Sequence, residues 1–352
     1  NLLLKQQLII HSRSRQRAPN LSTQDRALLG FWSMFVNPRR IVRSAIIIKP
    51  STLLSFHNAL KKRKYRLLYS PGGGRKPGPK GPSREVIDAI KTQLDKLAYY
   101  STFQNTSNPP AIELSMRLMD MFKPEKMSKA FFSSGGSDAI ETALKLARQY
   151  WKLVGQPNRH QFISLKWGYH GVHFGGASIN GNPMFRNAYE PLLPGCHLTE
   201  TPYTYRNPWN ESDPEKLSQL CLNDLSELIQ KIGAGNIAAL VAEPVQGAGG
   251  VIVPHASYWP GMRKLLDEHG ILLISDEIVT GFGRIGSLCG ARAWGVAPDI
   301  MAMAKGINSG YVPLGATLVN ERIASAWEQP NVPAAMMHGY TYSGHALACA
   351  AA

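Results

Sequence analysis

Long apolar runs are missing from this sequence of 352 residues. No stretch reaches the roughly 18 consecutive apolar residues that indicate a membrane-spanning helix. The start, NLLLKQQLIIHSRSRQR, has no small-residue cleavage site after its short apolar stretch. The 4 cysteines form no C-x-x-C pair for metal binding or dithiol exchange. These absences predict a soluble cytoplasmic protein with free thiols and with neither a membrane segment nor a metal site.

Acidic residues are scarce in the first quarter of the chain. Residues 1–90 contain 18 Lys and Arg but only 3 Asp and Glu, whereas the remaining residues contain 21 of each kind. The whole net charge of +15 therefore lies in the first 90 residues. Charge segregated in this way predicts a nucleic-acid or acidic-surface partner for this segment alone.

The basic segment has two parts that differ in composition. STLLSFHNALKKRKYRLLYS, residues 51–70, has an apolar helical face followed by a basic run. PGGGRKPGPKGPS, residues 71–83, contains too much Pro and Gly for a packed helix or a central strand. We predict a helical unit and a flexible basic arm, suited to phosphate contacts along DNA. A solvated basic tail without a partner is the alternative.

After about residue 86 the sequence alternates between helical and apolar strand-like segments, which predicts an α/β domain with a mainly parallel sheet. KAFFSSGGSDAIETALKLARQYW, residues 129–151, runs from a short strand through glycines into a helix, with Ser137 or Asp138 as the predicted N-cap. Glycines at a helix start let backbone N–H groups reach a phosphate, which the helix dipole also favours. Ser and Gly also cap helices that bind nothing, so both interpretations stay open.

Three further apolar segments each end in charged side chains. IAALVAEPVQGAGG reaches Glu243, GILLISDEIVTGFGR reaches Asp276 and Glu277, and PDIMAMAKGINSG reaches Lys305. Parallel strands end at one edge of a sheet, where such folds bind ligands. A phosphate cradle, a buried acid and a lysine amine together predict pyridoxal phosphate: the lysine binds the aldehyde, and the acid keeps the ring nitrogen protonated. Taken alone, Lys305 fits a solvated strand-end residue better.

Two other patterns give competing hypotheses. GFGRIG, residues 281–286, follows a strand, and Asp299 lies 18 residues beyond its first glycine, near the spacing of dinucleotide-binding folds. Residues 287–299 contain Gly and Pro where a crossover helix should run, so a nicotinamide dehydrogenase is only the second enzyme hypothesis. His170 and His173 form an H-x-x-H pair without a third ligand nearby, and we expect them to line the cofactor site.

The motifs between residue 86 and residue 352 resemble those of the class III, fold type I aminotransferases. In chain order they are SSGGSDAIETALKLAR, WGYHG, AEPVQGAGG, SDEIVTGFGR, MAKGI and GYTYSGHALACAA. NPPAIELS and RQYW are most similar to the subgroup that moves amines to pyruvate. The resemblance implies a fold type I large domain with helices on both faces of the sheet. It also implies pyridoxal-phosphate-dependent transfer of an amino group from an amine or ω-amino acid to a keto acid such as pyruvate.

The resemblance further implies a role for each matching residue. Lys305 would carry the cofactor and then serve as the base that moves the proton between substrate and cofactor carbons. Asp276 would pair with the ring nitrogen. The other positions would surround the cofactor: Gly136 and Ser137 at the phosphate, Tyr169 and Val279 on the two ring faces, Glu243 nearby, and Thr341 at the phosphate of the neighbouring subunit. The role of Thr341 implies a homodimer with shared active sites.

Residues 46–90 are similar instead to the segment before the catalytic core of integrase-type transposases, although the acidic nuclease core of that family does not follow. We therefore predict a basic transposase-like segment at 1–84 and an aminotransferase large domain at 85–352. The chain ends soon after Thr341, so we expect the C-terminal small domain, with its substrate-binding arginine, to be missing. A DNA-binding segment joined to an inactive aminotransferase fragment, and a fragment without function, are the alternatives to an active transaminase.

Overall fold

The computed structural model describes residues 2–14, 21–33, 35–36, 49–69, 81–103, 106–329 and 336–352. The chain divides into two compact units, Asn1–Gly81 and Pro82–Ala352. The Pro- and Gly-rich arm predicted for residues 71–83 lies outside the described residues except for its last three positions. Across the described ranges, no helix combines the length and the apolar character needed to cross a bilayer.

The first unit contains helices α1 (Leu2–Ser14), α2 (Thr23–Ser33) and α3 (Pro50–Tyr69) in its described part. These helices share a small apolar core formed by Leu3, Ile10, Leu29 and Leu53. The predicted helix after residue 50 is therefore present. The basic run of residues 61–66 belongs to the second half of α3.

The second unit is built on a seven-stranded sheet. Its strands are β1 (Met127–Ser133), β2 (Gln161–Leu165), β3 (Cys196–Thr199), β4 (Ile237–Ala242), β5 (Leu272–Asp276), β6 (Ile300–Met303) and β7 (Gly315–Asn320). The spatial order is β1-β7-β6-β5-β4-β2-β3, and of these strands β7 runs antiparallel to both of its neighbours. The other pairings are parallel. The predicted mainly parallel sheet is confirmed.

The helices of the second unit alternate with these strands along the chain. They are α4 (Arg84–Lys96), α5 (Pro109–Met121), α6 (Gly136–Leu153), α7 (Phe174–Ile179), α8 (Pro214–Ile232), α9 (Tyr258–Glu268), α10 (Gly290–Ala293), α11 (Glu321–Ala324) and α12 (Ala346–Ala351). Short 3-10 turns cover Pro183–Phe185, Asn187–Tyr189, Ala234–Asn236, Lys305–Ile307 and Ser325–Trp327.

Helices cover both faces of the sheet because successive strand residues point to opposite sides. Leu272 and Ile274 of β5 pack in a cluster with residues of α6, whereas Leu273 packs in a different cluster with residues of α8 and α9. Met301 of β6 joins a third cluster, which includes residues of α5 and α12. With both faces covered, the central strands are apolar throughout, as buried parallel strands require.

The carboxyl ends of β4, β5 and β6 lie side by side at one edge of the sheet. Both pairings are parallel, and Asp276 at the end of β5 faces Ala302 of β6. Glu243 follows the last residue of β4, and Lys305 follows the last residue of β6 after one intervening position. The charged strand ends that the sequence predicted are therefore neighbours in space.

Candidate active site

Asp276 places a carboxylate at the end of β5 with only 3% of the residue exposed. Its Oδ2 lies 2.8 Å from His170 Nδ1, and its Oδ1 accepts a hydrogen bond from the Ile278 backbone N–H at 3.1 Å. A carboxylate only accepts hydrogen bonds, so His170 carries its proton on Nδ1. The buried Nε2 of the same ring has no partner among the described residues. Two hydrogen bonds thus fix the orientation of Asp276.

Glu243 connects two loops at the same edge. Its Oε1 accepts from the Tyr169 backbone N–H at 2.9 Å, and its Oε2 accepts from the Gly247 backbone N–H at 3.0 Å. Burial, and then the nearby Asp276 carboxylate, raise the pKa of Glu243 above its ordinary value. Glu243 thus fixes the backbone at Tyr169 and at Gly247.

Glu277 follows Asp276 but turns away from it and is completely buried. It accepts hydrogen bonds from Ser275, from Thr280 and from the backbone N–H groups of Gly290 and Ala291 at 2.8 and 2.7 Å. Burial raises the pKa of Glu277. The carboxylate pair expected from the sequence therefore separates: Asp276 contacts His170, and Glu277 holds the start of α10.

The predicted phosphate cradle lies at the start of α6. The N-cap is Gly135, which makes no side-chain capping bond, so the prediction of Ser137 or Asp138 as the cap is wrong. Both side chains lie in the first helical turn and bind loops instead: Ser137 Oγ accepts from Val172 N–H at 3.1 Å, and Asp138 accepts from Ser134 N–H at 3.0 Å. The first N–H groups of α6 lack acceptors within the helix, which is the arrangement that binds anions.

Close packing brings this cradle to the other candidate residues. A Cβ atom added to Gly136 would lie 2.9 Å from Ile278 Cδ1, two residues after Asp276. A Cβ atom added to Gly171 would lie 2.7 Å from Ser137 Oγ. The start of α6 therefore contacts both the segment that follows β5 and the segment that contains Tyr169 and His170.

Tyr169 and Val279 each lie near one of the two backbone groups that Glu243 binds, those of Tyr169 and Gly247. The Tyr169 ring makes an edge-to-face contact with Phe185, with ring centroids 4.8 Å apart. Tyr169 also lines a cavity of about 320 Å³ whose other walls include the exposed side chains of Val172, Phe174 and Met184. Val279 is half-buried beside Gly247. Their placement on opposite faces of a bound ring stays a prediction.

Lys305 is exposed and begins a 3-10 turn one residue after the end of β6. Its φ of 36° lies in the left-handed region, which is uncommon for a residue with a side chain. The neighbouring Gly306 explains the tight backbone path, because a Cβ atom there would lie 2.9 Å from Phe282 Cβ. The amine is therefore accessible to a ligand.

Thr341 is exposed at the start of a turn, and its carbonyl accepts a hydrogen bond from the Tyr99 hydroxyl at 2.7 Å. None of the contacts described for this chain joins Thr341 to Gly136 or Asp276. Its contact with the cofactor phosphate of a neighbouring subunit stays a prediction.

The dinucleotide hypothesis finds no support in the geometry. Residues 281–286 form turns, and the following α10 has only 4 residues. Asp299 accepts from Arg263 at 2.9 Å and from the Leu273 backbone N–H at 2.9 Å, at the start of β6 and the opposite edge of the sheet. His173 binds Asp138 at 2.7 Å, whereas His170 binds Asp276, so the two histidines serve different acids.

The residues at this edge fit pyridoxal phosphate. A buried carboxylate suits a protonated pyridine nitrogen, an accessible lysine amine suits the aldehyde, and a helix N-terminus with a serine hydroxyl suits the phosphate. Sequence reasoning missed the hydrogen bond between His170 and Asp276 and the two hydrogen bonds that Glu243 accepts from backbone N–H groups. The motif WGYHG could have indicated the contact between His170 and Asp276, because a histidine next to an expected ring-stacking tyrosine lies close to the same site.

The sequence and structure are similar to known transaminases. The family model described as "Aminotransferase class-III" matches residues 81–352. The putrescine–pyruvate aminotransferase of Pseudomonas aeruginosa is 38% identical over 268 residues, 76% of this chain and 58% of that protein. Gamma aminobutyrate transaminase 3 of Solanum lycopersicum is 38% identical over 273 residues, 77% of this chain and 52% of that protein.

Two solved structures show the same fold. The PLP-bound amine transaminase of an uncultivated Pseudomonas species has a TM-score of 0.75 and 57% identity, covering 77% of this chain and 61% of that one. The (S)-enantioselective omega-transaminase of Thermomicrobium roseum has a TM-score of 0.73 and 43% identity, with 77% and 59% covered. The chain thus spans between about half and three fifths of the length of these relatives.

Proposed function

The chain belongs to the class-III aminotransferases, and we propose on that premise that it transfers an amino group from an amine or ω-amino acid to a keto acid such as pyruvate, with pyridoxal phosphate as cofactor. The observation that carries the proposal is the placement of Asp276, Lys305 and the start of α6 at one sheet edge. The names of the relatives support amines and pyruvate as the substrate classes.

Each candidate residue has a task that its contacts support. When bound, pyridoxal phosphate supplies an aldehyde that reacts with amines and a ring that withdraws electrons. Asp276, oriented by His170 and Ile278, would hold a proton at the ring nitrogen. Lys305 would bind the aldehyde carbon and then carry the proton to and from the substrate carbon. The first N–H groups of α6 and the Ser137 hydroxyl would bind the phosphate.

The remaining residues would orient the cofactor and exclude water. Tyr169, whose backbone Glu243 fixes, would cover one face of the ring, and Val279 would cover the other. Thr341 would complete the phosphate site of a second copy, so the proposal includes a homodimer. We also propose a cytoplasmic location, supported by the free state of all 4 cysteines.

The test is covalent capture of the cofactor on the full chain. Pyridoxal phosphate is added, the absorbance spectrum is recorded before and after borohydride reduction, and the modified peptide is identified by mass spectrometry. We expect reduced cofactor on Lys305 and none on the Lys305→Ala variant. Lys126→Ala is the matched control, because Lys126 is also exposed with a left-handed backbone (φ 62°) but precedes β1, at the opposite edge of the sheet. Unchanged labelling of Lys305→Ala would refute the assignment.

Activity is then measured as alanine formed from pyruvate with a panel of amines that includes putrescine and γ-aminobutyrate. We expect alanine formation to depend on added pyridoxal phosphate and to disappear in Lys305→Ala. Cofactor capture without alanine from any amine would separate cofactor binding from transamination and would contradict the proposed reaction.

Residues 1–84 support a second candidate function, binding of DNA through its phosphates. The supporting observation is charge segregation, since this segment contains 18 Lys and Arg but only 1 acidic residue, whereas residues 85–352 contain 21 basic and 23 acidic side chains. Its similarity to the region that precedes an integrase-type core favours the same proposal. The division of function between residues 1–84 and 85–352 is part of this proposal.

A further inference from the structure

His338 lies between β1 and α6, and none of the roles above uses it. Its ring stacks on Phe131 of β1, with centroids 5.4 Å apart and an interplanar angle of 22°. On the side of α6, its Nε2 lies 2.9 Å from Thr142 Oγ1 and its Nδ1 lies 3.4 Å from Lys145 Nζ. Three contacts on two elements therefore hold one side chain.

The surrounding donors fix the protonation state of this ring. The Thr142 hydroxyl has a single proton and donates it to the Asp138 carbonyl at 2.8 Å. Thr142 must therefore accept from His338 Nε2–H. Lys145 can only donate, so Nδ1 must be the acceptor. His338 is thus held as the neutral tautomer with its proton on Nε2, and a second proton would face the Lys145 ammonium.

Tyr340, two residues after His338, also contacts α6. Its hydroxyl donates to the Asp138 carbonyl at 3.2 Å, and its ring contacts the His338 ring edge-to-face at 5.1 Å. Residues 338–340, here called the α6 anchor, are consequently attached to the first three turns of the helix whose start is the candidate phosphate cradle.

Thr341 follows the α6 anchor directly. The turn that contains it closes with a hydrogen bond from Ser343 N–H to the Tyr340 carbonyl at 2.9 Å. Two hydroxyl groups bind the carbonyl groups of the same turn: Tyr99 donates to the Thr341 carbonyl at 2.7 Å, and Thr102 donates to the Ser343 carbonyl at 2.9 Å. The position of Thr341 is therefore set by the anchor on one side and by these two hydroxyls on the other.

We propose that His338 is a positioning residue that sets where Thr341 meets the cofactor phosphate of a second copy of this chain. The inference rests on the proposed function, because it needs the role of Thr341 given above. In this arrangement α6 begins with the phosphate cradle of its own site and, over the next turns, holds the segment that completes the partner's site. One helix would then link the two active sites of the dimer.

The first test is a double-mutant cycle on pyridoxal phosphate affinity, measured by absorbance titration of the full chain at pH 8. Because His338 acts through Thr341, we expect His338→Ala and Thr341→Ala each to weaken binding about tenfold, the loss of roughly one phosphate hydrogen bond. The double variant should bind no more weakly than Thr341→Ala alone. His338→Gln keeps an N–H donor near the position of Nε2 and should restore most of the affinity. Additive losses would overturn the inference.

The second test measures cofactor affinity as a function of pH, because only the neutral His338 ring fits its contacts with Thr142 and Lys145. Burial, and then Lys145, lower the pKa of His338 below its ordinary 6.5, while Asp138 acts in the opposite direction. The charged or titratable groups around the ring are Lys145 and Asp138 on α6 and Tyr340 on its own segment, and Phe131 on β1 carries none. A lowered pKa means that the anchor is intact above 6.5 and weakens as acidification protonates the ring. Affinity should fall more steeply below that pH in the wild type than in His338→Gln, and parallel curves would contradict the proposal.

A third measurement needs no cofactor. Hydrogen exchange of the full chain without pyridoxal phosphate should be faster at residues 339–345 in His338→Ala, with the C-terminal half of α6 unchanged. His255→Ala is the matched control, because the described hydrogen bonds of that ring reach only Ser257, two residues away. Wild-type chain that binds no cofactor would refute the proposed function. Wild-type chain that binds cofactor, with unaltered exchange and affinity in His338→Ala, would refute this inference alone.

Discussion

Asp276 is a nearly buried acid whose two oxygens already have partners, His170 on one side and a backbone N–H on the other. Each carboxylate oxygen can accept a further hydrogen bond, so Asp276 can also bind a positive group in the site. An acid in this environment is costly to bury unless a ligand or a hydrogen-bond network uses it. At the scale of single residues, it is the strongest indication of chemistry in the second unit.

Replacing Asp276 with Asn tests that charge with little change of shape. The amide cannot hold a proton at the ring nitrogen, so we expect the transamination rate to fall by at least about a hundredfold. Borohydride should still trap the cofactor on Lys305, because the amine and the phosphate cradle are untouched. The measurement is single-turnover formation of alanine. Asp267→Asn, an exposed acid on α9 that pairs with Arg263, is the control, and equal rates in Asp276→Asn and wild type would refute the role.

Residue type and order were enough to find most candidate positions, but not their partners. Asp276 and Glu277 are adjacent acids, and alternation along a strand predicts that they face opposite sides without saying which side is the site. That choice depends on α10, whose backbone N–H groups bind Glu277. The link between His170 and Asp276 joins residues 106 positions apart, which no local pattern contains.

At the scale of elements, Glu277 joins the end of β5 to the start of α10. Its four hydrogen bonds keep the chain after Asp276 in one path, because they fix Ser275 and Thr280 on both sides of the acid. The same path carries Ile278 against Gly136 and Val279 against Gly247. A buried structural acid thus shapes the loop that carries Val279 and that packs against the candidate phosphate cradle at Gly136.

Glu277→Gln should therefore destabilise the second unit. A glutamine amide presents N–H groups where the acid accepts from backbone N–H, and leaving a buried donor without an acceptor costs about 1 to 3 kcal/mol. We expect a lower free energy of unfolding in thermal or urea melts. Glu268→Gln, at the exposed end of α9, is the matched control. Equal stability of Glu277→Gln and wild type would show that the four contacts do not hold this loop.

Elements with local signals were predictable, and elements set by packing were not. Helix α8 begins after Asp213, which accepts from Glu215 and Lys216 N–H at 2.9 Å each, and it ends before Gly233; an acidic N-cap and a terminal glycine are both local signals. The left-handed backbone at Lys305 has no comparable local signal, because a lysine rarely adopts this conformation. The start of α6 was misjudged by two to three residues, because Ser137 and Asp138 bind neighbouring loops and do not cap the helix.

For the second unit, the sheet order explains why candidate residues from Gly136 to Lys305, 169 positions apart, lie at one edge of the sheet. Parallel pairing of β4, β5 and β6 aligns their carboxyl ends, and the antiparallel β7 pairs with β1 so that Ser133 faces Gly315 at the same edge. The alternation of helices and strands predicted this class of fold. The position of β7 between β1 and β6 was not predictable from local patterns, since it is a pairing of distant segments.

The segregated charge of the molecule gives a prediction for its first unit. If residues 1–84 bind DNA phosphates, log affinity should fall linearly with log salt concentration, by about 0.9 for each phosphate neutralised. Replacing Lys61, Lys62, Arg63 and Lys64 with Gln removes four charges from α3 and should reduce both the affinity and this slope. The matched control replaces Lys123, Lys126, Lys152 and Lys231 with Gln, four charges from the second unit. Fluorescence anisotropy with an arbitrary duplex measures both sets. Equal losses from the two sets would mean that only net charge attracts DNA, whereas binding insensitive to salt would contradict phosphate recognition by this unit altogether.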